Sequence, residues 1–153
     1  MSIVLYFLNA TIYVFVSWII GLILNNLIKN RSFYSKISNL EFIKNDTIRK
    51  SLALNGFGWM IKNTVFKVFN QNLQLKKGTT NKKDLKLIRN EMTYAEIGHI
   101  IGFLFILILI GYQTLNGQFL SAIILLVFNI IFNLYPTLLQ QHNKKRIDRI
   151  LKQ

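Results

Sequence analysis

Between Ile3 and Ile28 the chain reads IVLYFLNATIYVFVSWIIGLILNNLI, twenty-six residues without one charge. No soluble fold tolerates such a segment on its surface, and a hydrocarbon layer is crossed by about 20 mostly apolar residues. Two further blocks match it, Ile97 to Leu115 and Phe119 to Leu139. Overall, 52% of the residues are hydrophobic, yet the formal net charge is +13. The two properties are kept apart along the chain, as the bilayer demands and a soluble domain does not. The first block lacks the basic start, the short apolar core and the small-residue cleavage site of a secretory signal, so it reads as a retained anchor.

Asn116-Gly117 between the last two blocks is a turn pair, which predicts an antiparallel hairpin with a very short loop. Orientation follows from the basic residues. Of the 19 Lys and Arg, fourteen fall between Lys29 and Arg89 and five between Lys144 and Lys152. Excess Lys and Arg mark the cytoplasmic side. The expected topology is therefore an outside N-terminus, a cytoplasmic 29–96 segment, an outside turn and a basic cytoplasmic tail over 140–153. This describes one multi-pass domain, residues 1–153, in a bacterial cytoplasmic (inner) membrane. The expected fold class is an all-α membrane protein with about three transmembrane helices plus an amphipathic interfacial or re-entrant helix.

That additional helix is read from Asp46 to Leu75, where Trp59 and several phenylalanines sit beside Lys50, Lys62 and Lys67. The pattern suits an element lying in the interface with its lysines snorkelling to water. A full span there would carry Lys62 near its centre, at a high cost. Farther on, GTTNKK (Gly78 to Lys83) reads as a turn, and Asp84 opens a helix that should continue unbroken into the second span.

Several chemistries fall away. The chain has no cysteine, which removes disulfides, thiolate metal sites and cysteine nucleophiles. The basic runs flank spans, so anionic lipid rather than nucleic acid is their expected partner. Glu96-x-x-His99 resembles half of a di-iron ligand set. With six acidic residues in the chain, such a site would require a dimer, and no metal or other cofactor is expected.

Polar residues inside the apolar blocks carry the functional signal. Glu91, Glu96 and His99 lie near the start of the second span. Asn129, Asn133, Tyr135, Gln140, Gln141, His142, Asn143 and Arg146 lie near the end of the third. Residues equidistant from a hairpin turn share one depth, because both helices rise about 1.5 Å per residue. On that rule His99 is level with Tyr135, Glu96 with Leu138 and Glu91 with Asn143. Glu96 and His99, three residues apart, share a helix face on which the carboxylate can orient the imidazole. Gln140, Asn143 and Arg146 form a candidate polar ridge, and Pro136 before them is expected to open the helix. Each residue also has a plain structural use: asparagine and glutamine join helices, tyrosines line the interface, and lysines anchor the cytoplasmic end.

RNEMTYAEIGH (Arg89–His99) and NLYPTLLQQHNKKRID (Asn133–Asp148) resemble two stretches of the glycosyl-4,4'-diaponeurosporenoate acyltransferase family, small bacterial membrane proteins tied to acylation of a glycosylated carotenoid. The resemblance sets Glu91, Glu96, His99, Asn133, Pro136, Gln140, Asn143 and Arg146 at corresponding positions, while the family's second proline in the tail is missing. It implies an O-acyltransferase that takes acyl-CoA or acyl-carrier protein as co-substrate. The acceptor would be a hydroxyl of a membrane glycolipid or of a glycosylated isoprenoid or carotenoid. Within that chemistry we expect His99 as general base, oriented by Glu96. Glu91, Asn133, Tyr135, Gln140, Asn143 and Arg146 are expected around the substrates, with Arg146, Lys144 and Lys145 toward the donor's charge. The other reading is a non-catalytic membrane subunit or lipid-binding protein. Three spans cover little of one another, which leaves room for a homo-oligomer.

Overall fold

The computed structural model describes residues 3–43, 45, 56, 63 and 81–152. Among them α1 spans Ile3–Ile28, the short α2 spans Tyr34–Ile37, and α3 spans Lys82–Leu115. After a turn come α4 (Phe119–Asn129), a π-helical turn (Ile130–Leu134) and α5 (Tyr135–Leu151). Described residues contain three helices long and apolar enough to cross a membrane: α1, α3, and the continuous run from Phe119 to Leu151. The chain is thus an all-α membrane protein. The expected amphipathic element between Asp46 and Leu75 lies outside the described residues, isolated positions aside.

Local chemistry explains where α3 begins and ends. Asn81 caps it, its side-chain oxygen accepting from the Lys83 backbone N–H at 2.9 Å, and Asp84 adds negative charge to the first turn. At the far end Gly117 takes φ +72°, a left-handed conformation that glycine adopts freely. Gln118 N–H then reaches back to the Gln113 carbonyl and Gly117 N–H to the Thr114 carbonyl, closing a Schellman cap. The hairpin turn is therefore built from the Asn-Gly pair as expected. With 34 residues, α3 is about 51 Å long, well beyond the roughly 30 Å hydrocarbon thickness.

How α1 joins the hairpin is decided by its small and polar residues. Its buried positions are Ala10, Val14, Ser17, Gly21 and Asn25, spaced by three or four along one stripe. The large side chains, among them Ile12, Phe15, Ile19, Leu22 and Ile23, face outward. Lipid tails solvate those branched residues as well as protein would, so helix association depends on close approach. Gly98 and Gly102 of α3 supply the opposing surface. A Cβ added at Gly21 would strike the Gly98 carbonyl oxygen, and one at Gly102 would sit 3.1 Å from both the Asn133 side-chain oxygen and the Ser17 carbonyl. We expect Gly21→Ala to force the helices apart and destabilise the protein by roughly 1–3 kcal/mol. A thermal midpoint in detergent equal to wild type would contradict this packing.

Two apolar clusters bracket the polar middle. Ala10, Val14, Ile106 and Leu125 pack toward the turn end, and Leu85, Met92 and Ile147 at the basic end.

Candidate functional site

Between these clusters the helices hold two adjoining layers of polar side chains. The deeper one is an asparagine layer. Asn129 and Asn133 are fully buried, as is Ser17 of α1. Asn129 Nδ2 donates to the Phe103 carbonyl at 3.1 Å; Asn133 Nδ2 donates to Asn129 Oδ1 at 2.9 Å and to Ser17 Oγ at 3.2 Å. Ser17 Oγ in turn donates to the Val14 carbonyl at 2.7 Å. His99, half-buried, brings Nδ1 to 3.4 Å from Asn133 Oδ1. The Trp18 ring stands edge-on to His99 with centroids 6.2 Å apart.

The π turn and Pro136 shape this layer. Tyr135 N–H reaches back five residues to the Ile130 carbonyl. Pro136, having no N–H, cannot serve the Phe132 carbonyl four residues earlier. Trp18 Nε1 donates to that carbonyl at 3.3 Å, so α1 supplies the bond that the proline withholds.

The outer layer is charged. Glu96 is fully buried and forms an ion pair with Lys144, itself 3% exposed. Gln141 Nε2 donates to Glu96 Oε1 at 2.8 Å. The same two α5 residues hold the segment after α2: Lys144 Nζ donates to the Ser38 carbonyl at 2.7 Å, and Gln141 Oε1 accepts from Phe42 N–H at 3.0 Å. Farther out, Arg89 grips Asp148 with two bonds, 2.5 and 3.2 Å, and donates to Asn39 at 2.7 Å. Lys145 meets Glu41 at 2.6 Å. Residues 38–42 are thereby strapped across the α3–α5 pair by four side chains.

Several expectations require correction against this geometry. Glu96 and His99 share a face, but Glu96 is bonded to Gln141 and Lys144 while His99 is met by Asn133. The carboxylate therefore does not orient the imidazole; an asparagine does. The predicted ridge Gln140–Asn143–Arg146 turns away along its length: Gln140 is buried, Asn143 half-buried and Arg146 exposed. A strict spacing of three drifts about 60° around a helix per step, whereas alternation of three and four holds one face. The inward column is Asn129, Asn133, Thr137, Gln141 and Lys144. Lys144, expected among surface anchors and donor-binding charges, is spent on Glu96. Tyr135 is half-buried, and Glu91 is exposed. Gln140 Oε1 is buried with no hydrogen-bond partner among the described residues.

The equal-depth rule brings the right helix ends together but slips locally. His99 meets Asn133, nearer the turn than Tyr135; Glu96 meets Gln141 and Lys144, farther out than Leu138. The change falls across the π turn, which absorbs one extra residue, and the long Gln141 and Lys144 side chains reach across the rest. Ser17 and Trp18 were missed altogether. The signal for Ser17 was the small-and-polar stripe of α1, legible only once the stripe is recognised as a packing seam; Trp18 lies beside that stripe and gave none.

No curated protein and no solved structure matches the chain. A family profile does match, over residues 30–153, which takes in both polar layers apart from the α1 contributions. Its description is glycosyl-4,4'-diaponeurosporenoate acyltransferase, and with most of the chain inside the match, the protein belongs to that family.

Proposed function

We propose that this protein is a membrane acyltransferase that moves a fatty acyl group from a thioester donor to a hydroxyl of a glycosylated isoprenoid, carotenoid or other membrane glycolipid. The observation that carries the reading is His99 itself: a half-buried imidazole held by an asparagine network where long apolar helices give way to charged ones. An acyl chain lies in lipid and its thioester in water, so this boundary is where both can be reached. The clustering of Lys and Arg supports a cytoplasmic placement for this end, facing acyl-CoA or acyl-carrier protein.

In this mechanism His99 Nε2 takes the proton of the acceptor hydroxyl as its oxygen attacks the thioester carbonyl. The C–O bond forms, the C–S bond breaks, and the imidazolium returns the proton to the departing sulfur. Gln140 and half-buried Asn143, farther toward the basic end of α5, offer hydrogen-bonding groups to the polar parts of donor and acceptor. Exposed Arg146 contributes charge toward the donor's anionic part. Glu96, paired with Lys144, secures the fold around His99 and takes no proton.

The test is chemical. Lipid and pigment extracts from a deletion strain are compared with wild type by mass spectrometry. Loss of a species heavier by one fatty acyl group supports the enzyme and names its product. Unchanged extracts, with the protein expressed in the wild type, favour the non-catalytic subunit.

A further inference from the structure

We infer that Asn129 is a positioning residue that sets the tautomer of His99, through a one-way hydrogen-bond chain starting at the Phe103 carbonyl. This inference rests on the acyl-transfer reading for its consequence, though not for its geometry.

A backbone carbonyl can only accept. The side-chain atom of Asn129 that faces Phe103 O at 3.1 Å is therefore its NH₂, which turns Asn129 Oδ1 toward Asn133. That oxygen, 2.9 Å away, must meet the Asn133 NH₂, since two carbonyl oxygens would repel. The second Asn133 amide hydrogen points to Ser17 Oγ at 3.2 Å, whose own hydrogen is committed to the Val14 carbonyl. Both donors of Asn133 are thus used, and its Oδ1 is left facing His99 Nδ1. An oxygen at that place selects the ring form with hydrogen on Nδ1. The lone pair is then on Nε2, the nitrogen that must act as base. Inverting either amide would set like atoms against each other in a buried layer, where an unsatisfied polar group is costly. The relay does what the acid of a catalytic triad does for tautomer and orientation, without its charge.

Gly102 belongs to this device because a Cβ there would press on Asn133 Oδ1 and Ser17 Oγ, at 3.1 and 3.2 Å. Relay members come from all three long helices, so the tautomer reports on the packed protein and not on one helix.

The chain has two histidines, His99 and His142, which makes a direct test simple. Full-length protein labelled with ¹⁵N-histidine is examined in nanodiscs at alkaline pH, with the His99→Gln spectrum identifying the His99 signals. We expect wild-type His99 to carry its proton on Nδ1. Asn129→Leu, which frees the Asn133 amide to invert, should convert this into a mixture of both forms and lower kcat on the order of tenfold with KM kept. Wild-type protein with the proton on Nε2, or an Asn129→Leu spectrum unchanged from wild type, would overturn the inference. Because the tautomer is read without substrate, this failure is separable from failure of the acyl-transfer reading, which His99→Gln turnover reports.

Discussion

Replacing Lys144 with methionine should be among the most damaging single changes to stability, by roughly 3–5 kcal/mol. Glu96 is wholly enclosed, and Lys144 is the cation paired with it. Without that ammonium the carboxylate keeps the Gln141 bond but has no cation in contact with it in a site closed to water, and the Ser38 carbonyl loses its donor as well. The converse change, Glu96→Gln, strands the ammonium for the same reason. Joining the two should recover much of the loss, because a neutral pair of similar volume no longer has a charge to desolvate. Thermal unfolding in detergent of the two single variants and the double variant measures this. Single losses that simply add in the double variant would mean that the pair is not coupled as drawn.

The second large effect is on turnover. His99→Gln keeps a polar side chain of similar reach beside Asn133 but removes the base, so acyl transfer should fall by about 10²–10⁴-fold. Protein abundance and unfolding midpoint should remain close to wild type, since His99 makes one long hydrogen bond and is half-buried. Glu96→Gln provides the contrast: on the geometry above it injures stability first. Should Glu96→Gln abolish turnover in protein that is otherwise sound while His99→Gln remains active, the roles of the two residues would have to be exchanged.

Much of this architecture was legible from the chain because the bilayer punishes any other arrangement. Uncharged blocks, a turn pair and an uneven distribution of lysine and arginine together imply three spans and a hairpin. The polar residues at the basic end were also visible, since each is expensive where it sits. Partner choice was less legible. Glu96 and His99 are neighbours in sequence and share a face, yet each finds its partner on another helix, because one turn of the helix leaves them at different depths. Lys144 reads as one more anchor in a basic run until its side chain is seen to point inward. The π turn moved the register by an amount that counting from Gly117 could not supply. Ser17 and Trp18 went unnoticed because a serine and a tryptophan inside an apolar span carry no signal until the opposing Gly98 and Gly102 are known.

The relay has a consequence for when the protein becomes competent. Ser17 and Trp18 belong to a helix that leaves the ribosome well before Asn129 and Asn133 are made. A nascent chain bearing α1 and α3 holds His99 beside no asparagine, and the Phe132 carbonyl that Trp18 will bond does not yet exist. Translation must pass Asn133 before the imidazole acquires its partner. On the acyl-transfer reading, a chain truncated within α4 lacks Asn133 and should be inert.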